Sequence, residues 1–452
     1  MPPRKLILVV IDGLTAGTFE NAVEPERTPW LARLAELGEY RRGISTFPSL
    51  TPVCLSSIAT GAHADVHGIP HLVWYSRKER RLVEYGSSFG AIRRAGLTQS
   101  LRDALVEMNA RHLSPDASTV FETLEGAGLT TACVNFTCYR GTTLHRPTVP
   151  GLTPPVRGPK EFYFYSVFQS RDTGAPLAWR NRAQGSIDAY ATAVGRWLVT
   201  RDAFDFFVYY LSDFDYASHL AGPDGALDAL ERCDRGVGAL VEAAGGLDAF
   251  LERYGVLVCA DHGQTAVSEA FALEPLFAEA GLRVTASNRA GMVYRLTDGL
   301  PDAGELARRL DGVAAVEVAL YRDGHDAVAR REGAELRFAP HAEGGFETSG
   351  DPRVLDHPQA LERSWAALAN PNAGELLVSA REGVEFADLA GRHHAGGGSH
   401  GSLVAGDSEV PLLAVGAGPL PDSITGLAPL IARSFGVEPP GYARAPEAAG
   451  HL

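Results

Sequence analysis

The sequence predicts a mixed α/β fold with a doubly wound, mainly parallel sheet and helices on both faces. Short apolar runs alternate with helical stretches along the chain, which is the pattern of repeated βαβ units. Several of the apolar runs are continuous, as expected for strands that are covered on both faces. The predicted strands are residues 5–11, 129–134, 204–211, 255–260 and 410–415.

Helices are predicted between these strands from capping residues and apolar spacing. One begins at Thr28 and Pro29, carries leucines on one face and stops at Gly38. A second begins at Thr51 and runs to about Thr60. The remaining predicted helices are residues 117–127, 184–200, 226–249 and 427–435.

The domain organisation follows from a change of pattern in the last third of the chain. Residues 280–370 begin with a strand, a helix and a strand joined by Gly and Asp turns, which predicts an inserted α/β subdomain or cap. The catalytic α/β core is therefore expected to comprise residues 1–279 and 371–440, followed by a flexible tail at 441–452. A long, partly irregular excursion is predicted at 140–180, where Pro, Gly and aromatic residues are frequent.

Composition excludes several classes of protein. The 452 residues are 45% hydrophobic and 21% charged, which argues against a disordered chain. With 55 acidic against 41 basic residues the net charge is −14, which argues against a nucleic-acid-binding surface. A small anionic substrate remains possible, because bound cations can invert the local field.

The five cysteines and the N-terminal residues indicate the cellular compartment of the protein. The cysteines are scattered and form no disulfide or zinc pattern, which favours free thiols in a reducing compartment. The early apolar run at residues 6–11 is too short for a membrane span or a signal peptide. A cytoplasmic protein without a membrane anchor is therefore expected; the oligomeric state cannot be inferred from the sequence.

Acidic and histidine residues follow the predicted strands. Asp12 ends the first strand, and Asp215 and His219 follow the third, four residues apart. This spacing allows two side chains to converge on one cation, with Asp213 as an alternative first ligand. Further along, Asp261, His262 and Gly263 end another strand, and His400 lies in a glycine-rich stretch that also contains His393 and His394.

Thr51 is the candidate nucleophile. A hydroxyl at a helix N-terminus is placed where the helix dipole and unpaired N–H groups favour an anion. Thr46 and Ser49 are alternatives, but both precede the predicted helix. Since ligands of open parallel sheets bind at the carboxyl ends of the strands, the candidates should meet at one edge of the sheet. Seven oxygen and nitrogen ligands suffice for two metal ions: Asp12, Thr51, Asp215, His219, Asp261, His262 and His400.

The ordered motifs resemble the alkaline phosphatase superfamily, specifically its type I phosphodiesterase/nucleotide pyrophosphatase branch. They are Asp12 after a strand, FPSLTPVCLSSIATG with HGI, Asp215 with His219 before Gly-Pro, Asp261-His262-Gly263, and Ser399-His400-Gly401. The resemblance spans about residues 5–435. It implies two divalent metal ions, expected to be Zn²⁺, and a nucleophilic Thr51 that forms a phospho-threonine intermediate. By the same resemblance, Asp12, Thr51, Asp261 and His262 would hold one zinc, and Asp215, His219 and His400 the other.

The sequence departs from the family where a phosphate oxygen is bound. Family members often have an Asn shortly after His-Gly-Ile, whereas here His67-Gly68-Ile69 is followed by Pro70, His71 and Leu72. His71 is the candidate replacement. Tyr139 and Arg140, which follow the predicted strand 129–134, are candidate substrate-binding residues, with ordinary surface placement as the alternative.

The resemblance implies hydrolysis of small phosphate esters, with diesters expected. A phosphonate hydrolase or phosphomonoesterase of the same superfamily is the alternative, and a non-catalytic ligand-binding protein on this scaffold is a remote one. A sulfatase is disfavoured because Cys54 lacks the Pro and Arg that should follow its nucleophile. A cofactor-independent phosphoglycerate mutase is disfavoured because Thr51 stands where its serine should be.

Overall fold

The larger of two main sheets has eight strands, and its middle is parallel. The structure is a computed structural model that describes residues 5–178 and 186–443. All five predicted strands are present, which confirms the predicted α/β class, and five neighbouring strands run parallel. The strand order across the sheet is Glu39–Ile44, Glu409–Val415, Tyr254–Cys259, Lys5–Ile11, Phe206–Leu211, Thr131–Val134, Glu161–Phe164 and Phe168–Gln169.

Three strands of this sheet were not predicted. Glu39–Ile44 lies at one edge and carries charged side chains on a partly exposed surface, so it lacks an apolar run. Glu161–Phe164 and Phe168–Gln169 lie at the other edge, within the segment predicted as an irregular excursion. Glu409–Val415 pairs antiparallel with both of its neighbours, so the sheet is mainly rather than wholly parallel.

Helices cover the larger sheet. Every residue of Phe206–Leu211 and Tyr254–Cys259 is buried, so neither face of the sheet centre meets solvent. The buried helix Thr51–Thr60 has the predicted bounds and ends at Gly61 in the left-handed conformation. The other α-helices are Ala16–Ala22, Pro29–Leu37, Ala64–His67, Phe89–Ala95, Leu97–Arg102, Val120–Gly126, Ser186–Thr200, Asp213–Ala221, Leu227–Ala243, Leu247–Arg253, Ala303–Arg308, Ala360–Ala369, Ala405–Ser408 and Leu427–Ser434, with a π-helical segment at Asp103–His112.

The helix predicted at 226–249 is two helices. Leu227–Ala243 and Leu247–Arg253 are separated by Gly245 and Gly246, whose φ angles are 98° and 108°. Glycine adopts this region without steric cost, so the pair can break the helix. The first two residues of the helix predicted at 184–200 lie outside the described residues.

The second main sheet has seven strands, and all of its neighbouring pairs are antiparallel. It extends past the expected subdomain boundary at residue 370, because Leu376–Ala380 pairs in the middle of this sheet. This long-range strand pairing was not visible in the local pattern. The predicted tail lies outside the described residues from 444 onwards. The strand order is Leu282–Ser287, Ala290–Arg295, Leu376–Ala380, Val316–Asp323, Asp326–Arg331, Ala334–Pro340 and Phe346–Gly350.

In the described part of the chain, four short strand pairs lie outside the two main sheets. No described helix has both the length and the apolar character needed to cross a bilayer. All five cysteines are buried free thiols. The short pairs are Val73–Ser76 with Arg81–Glu84, Thr143–His145 with Val156–Gly158, Thr265–Ala266 with Gly398–Ser399, and Glu269–Phe271 with Val384–Phe386.

A buried ion pair joins the second sheet to the rest of the protein. Arg289 follows Leu282–Ser287, and its guanidinium donates to Asp407 Oδ1 at 2.8 Å. Both side chains are fully buried. Asp407 also accepts hydrogen bonds from Thr265 Oγ1 and from the backbone and side chain of Ser402. The carboxylate is therefore surrounded by donors, as a buried charge requires.

We predict that Asp407→Asn lowers the free energy of unfolding by about 3–5 kcal/mol, because it leaves the buried Arg289 guanidinium without a counter-charge. Urea denaturation followed by circular dichroism measures the change. The matched control is Asp422→Asn, which removes an ion pair with Arg41 in which the Asp422 side chain is 72% exposed. It should cost less than about 1 kcal/mol. Equal losses in the two variants would contradict the prediction.

Candidate metal centre and active site

Three neighbouring parallel strands bring three carboxylates together. Asp12 follows Lys5–Ile11 directly, and Asp261 lies just beyond Tyr254–Cys259. Asp215 lies in the first turn of the helix Asp213–Ala221, which begins soon after Phe206–Leu211. Because the carboxyl ends of parallel strands share one edge, the side chains converge there. All three are buried.

Three histidines present the same ring nitrogen to this site. Each ring donates its Nδ1–H to a backbone carbonyl, since a carbonyl oxygen can only accept. Nε2 of each ring therefore carries a lone pair, which is the form that binds a metal ion. The three donations are His219 to Gly398 at 2.8 Å, His262 to Gly263 at 3.0 Å and His400 to Ser49 at 2.8 Å.

The potential ligand atoms form two overlapping groups. Within each group the atoms lie no more than 4.8 Å from one another. His219 Nε2 is 3.5 Å from Asp215 Oδ1 and so extends the group that contains Asp215. The first group is Asp12, Asp261 and His262, and the second is Asp215, His262 and His400. The structure thus brings together all six of the predicted carboxylate and imidazole ligands.

These residues fit divalent metal ions. Asp12 Oδ1 and Asp261 Oδ2 are buried and accept no hydrogen bond from any described residue. Burial, and then the charges of Asp261 and Asp215, raise the pKa of Asp12 well above its ordinary value. Burial likewise raises the pKa of Asp261. A bound cation would supply the missing partner, and carboxylate oxygen with imidazole nitrogen is a donor set suited to Zn²⁺.

Thr51 is the first residue of the helix Thr51–Thr60, and its hydroxyl faces the ligand groups. Thr51 Oγ1 donates to His262 Nε2 at 3.0 Å. The alternatives point elsewhere: Thr46 Oγ1 lies 3.3 Å from His63 Nδ1, and Ser49 Oγ donates to the Ser402 carbonyl at 2.9 Å. Of the three candidate hydroxyls, that of Thr51 lies at the site.

The helix N-terminus offers fewer donors than the sequence suggested. Pro52 has no N–H, and the N–H of Val53 donates to the Leu50 carbonyl. An anion bound beside Thr51 could therefore use the N–H of Thr51 itself, and any further donors would come from other parts of the chain.

Asp215, rather than Asp213, lies among the histidines. Asp213 faces Asp188, which is buried. The backbone N–H of Asp188 donates to Asp213 Oδ2 at 3.3 Å. Burial, and then the charge of Asp213, raise the pKa of Asp188 to about 8.

A cavity of about 700 Å³ opens onto the site. Asp12, Thr51 and His400 lie at its polar end. Of the described residues that line it, Arg232 is the only arginine or lysine. The apolar wall includes Leu105 and Met108 from the π-helical segment, a geometry often found at functional sites. Aromatic residues of the same wall are Tyr85, Phe89, Phe164 and Tyr165.

The predictions for Tyr139 and Arg140 as cavity-lining residues are wrong. The Tyr139 ring is buried against Phe162 and Phe164, and its hydroxyl donates to the Leu105 carbonyl. The Arg140 guanidinium donates to Glu122 and to three backbone carbonyls. These partners hold Arg140 away from the described lining of the cavity, and none of them was visible in the local sequence.

The structure does not bring His71 to the described lining of the cavity, because its side chain is fully buried. His71 Nδ1 accepts a hydrogen bond from the N–H of Val73 at 3.1 Å. Burial lowers the pKa of His71 to about 4, so the ring is neutral.

Several residues around the ligands were not found from the sequence. Tyr210 donates its hydroxyl to Asp12 Oδ2, and Gln264 donates its amide to Asp215 Oδ1. Asn288 donates to His400 Nε2 at 2.9 Å. His394, which the sequence placed only in the same glycine-rich stretch as His400, has its ring centroid 4.0 Å from that of His219 and its Nδ1 2.8 Å from Glu385 Oε1. Gln264 adjoins a motif and could have been noticed, whereas the others come from distant segments.

Fold and site together define an α/β protein with a candidate carboxylate–histidine metal centre at the carboxyl ends of its parallel strands. The family model for type I phosphodiesterase/nucleotide pyrophosphatase matches residues 6–403. The chain therefore belongs to that family, and it is a hydrolase of the phosphoester-hydrolysing class. No sequence among the curated proteins matches it.

Solved structures of similar fold come from a bacterium and a mammal. Phosphonoacetate hydrolase from Sinorhizobium meliloti 1021, in complex with phosphonoformate, is 18% identical, with a TM-score of 0.64 and 96% of each chain covered. Murine ectonucleotide pyrophosphatase/phosphodiesterase 5 is 14% identical, with a TM-score of 0.63 and the same coverage. An inactive variant of the murine protein was solved in complex with AMP. At these identities the likeness shows a shared fold.

We predict that the site binds a divalent metal and that both ligand groups are needed. Zn²⁺ at about 100 times its dissociation constant should raise the free energy of unfolding by about 2.7 kcal/mol. His219→Ala and His262→Ala should each lower the amount of metal bound per chain and remove most of this stabilisation, because a partly filled coordination shell binds metal more weakly. Elemental analysis and thermal denaturation measure the two effects. His325→Ala, at an exposed turn, is the control that should behave as the unchanged protein. Full metal content in both ligand variants would contradict the prediction.

Proposed function

We propose that this protein hydrolyses phosphoric diesters through nucleophilic attack by Thr51. The observation that carries the proposal is the contact between Thr51 Oγ1 and His262 Nε2, which places a hydroxyl among the potential metal ligands. A threonine hydroxyl is a weak nucleophile at neutral pH and needs such an environment to ionise. We further propose two metal ions, most simply Zn²⁺, held as the sequence motifs imply. Asp12, Thr51, Asp261 and His262 would hold one, and Asp215, His219 and His400 the other.

The reaction would proceed in two displacement steps at phosphorus. Bound divalent metals supply positive charge that lowers the pKa of a hydroxyl and polarises phosphoryl oxygens. Thr51 Oγ attacks phosphorus in line with the leaving group; the Oγ–P bond forms and the bond to the leaving alkoxide breaks. The product is a phospho-threonine that still carries the second ester group. Water then attacks this phosphorus, releases a phosphomonoester and returns the Thr51 hydroxyl.

The charge around the cavity favours a diester over a monoester. A monoester carries nearly two negative charges at neutral pH and benefits from additional cationic side chains. Arg140 is bound elsewhere, and Arg232 is the only arginine or lysine among the described lining residues. A diester carries one charge, and its second ester group can bind against the apolar wall formed by residues such as Leu105 and Phe164.

We predict that Thr51→Ala lowers kcat/KM by at least about 10³-fold, because the attacking oxygen is removed. The rate is measured with a nitrophenyl diester on metal-loaded protein. Thr46→Ala is the matched control, since its hydroxyl faces His63, and it should keep most of the activity. Turnover by Thr51→Ala close to that of the unchanged protein would show that another group attacks phosphorus.

We predict that kcat/KM for a nitrophenyl diester exceeds that for the matching monoester by at least about 10-fold, because the described cavity residues offer few cations for a dianion. Both substrates are compared on one metal-loaded preparation, together with a phosphonate. A higher efficiency on the monoester would assign the protein as a phosphomonoesterase, and turnover of the phosphonate alone would assign it as a phosphonate hydrolase.

A further inference from the structure

The second sheet contributes a side chain to the polar end of the cavity. Asn288 follows the strand Leu282–Ser287 in a tight turn, and it lines the same cavity as Thr51 and His400. Only 5% of Asn288 is exposed. Its amide nitrogen lies 2.9 Å from His400 Nε2. A buried carboxamide from a separate sheet thus reaches the centre of the candidate site.

The turn is held by contacts that do not involve the Asn288 side chain. The N–H of Arg289 donates to the His400 carbonyl at 2.8 Å, and the N–H of Phe386 donates to the Asn288 carbonyl at 2.7 Å. The buried ion pair of Arg289 with Asp407 anchors the next residue. Asn288 itself has a φ of 55°, a conformation that Asn and Gly tolerate. The backbone contacts therefore position Asn288, and the turn does not depend on its side chain.

The direction of the hydrogen bond identifies Asn288 as a donor. His400 donates Nδ1–H to the Ser49 carbonyl, so its Nε2 can only accept. The amide of Asn288 consequently donates to that lone pair. If His400 uses Nε2 as a ligand, the amide hydrogens lose this acceptor while remaining buried beside it. A buried donor without an acceptor is costly, so a substrate atom that accepts there would be stabilised.

Beyond the N–H of Thr51 itself, the first turn of the helix Thr51–Thr60 offers no free backbone donor. Pro52 has no N–H, and the N–H of Val53 is bound to the Leu50 carbonyl. Phosphoryl oxygens gain negative charge during attack and need donors that are already in place. Asn288 lies at the correct end of the cavity to provide one.

We propose that the Asn288 carboxamide donates a hydrogen bond to a non-bridging oxygen of the phosphoryl group that Thr51 attacks. This inference rests on the proposed function and deepens it, because it assigns a catalytic residue to the second sheet. It also identifies the bound group as one with an oxygen acceptor beside His400, which phosphate and phosphate esters share.

Two substitutions separate this role from a structural one. Asn288→Gly removes the amide and retains the turn, since glycine accepts the same φ. Asn288→Asp keeps the size of the side chain and replaces its donor with an acceptor of negative charge. Asn372→Ala is the matched control, because this amide donates to the Gly68 carbonyl outside the cavity.

The measurements are metal content, the dissociation constant of inorganic phosphate by calorimetry, and kcat for a nitrophenyl diester, all on metal-loaded protein. We expect both Asn288 variants to keep their metal, to bind phosphate about 10-fold more weakly and to lose about 10²- to 10³-fold in kcat. Asn372→Ala should change none of the three.

Unchanged phosphate binding and kcat in Asn288→Gly would overturn the proposal. Loss of metal or of folded protein in both Asn288 variants would also overturn it, because Asn288 would then act by holding His400. If the unchanged protein hydrolyses no phosphate ester, the proposed function fails; the phosphate affinities of the variants still decide whether Asn288 is an anion donor.

Discussion

Mutual repulsion among three buried carboxylates is the constraint on which the site depends. Asp12, Asp215 and Asp261 converge at the edge of the sheet, and the pKa of Asp12 is raised by burial and by its two acidic neighbours. Burial lowers the pKa of His219 and holds that of His400 well below its ordinary value, so these two rings do not neutralise the carboxylates. The fold therefore maintains an arrangement that is unfavourable without a cation and favourable with one. Metal binding and the stability of this edge are coupled for that reason.

A layer of polar groups fixes the ligands in advance. Tyr210 holds one oxygen of Asp12, and the N–H groups of Gly13 and His262 donate to Asp261 Oδ1 at 3.3 and 3.0 Å. Carbonyl acceptors set the tautomer of each histidine in the same way. Because these partners come from strand ends and from tight turns beside them, the orientation of the ligands is a property of the backbone. Such outer contacts usually tune a metal site as strongly as the choice of ligand.

Local patterns predicted the strand ends and the helix Thr51–Thr60, because each residue adjoins an apolar run or a cap that marks it. They failed where the decisive partner is distant in the chain. Arg140 follows a strand as the candidate ligands do, yet Glu122 and three carbonyls hold it elsewhere. Leu376–Ala380 belongs to the second sheet through pairing with strands more than fifty residues earlier. Asn288 lies in a hairpin turn that carries no catalytic pattern of its own.

The glycine-rich segment before His400 shows how the two sheets share one site. A Cβ at Gly397 would lie 2.1 Å from the His219 carbonyl, and a Cβ at Gly398 would lie 2.6 Å from Gln264 Oε1. Because these glycines have no side chain, the segment can pack directly against the helix Asp213–Ala221. The same segment then delivers His400, whose carbonyl receives the N–H of Arg289 from the second sheet. A substitution in the second sheet can thus alter the end of the cavity near Thr51 without replacing any candidate metal ligand. Substrate binding can therefore change while the metal-binding residues stay the same.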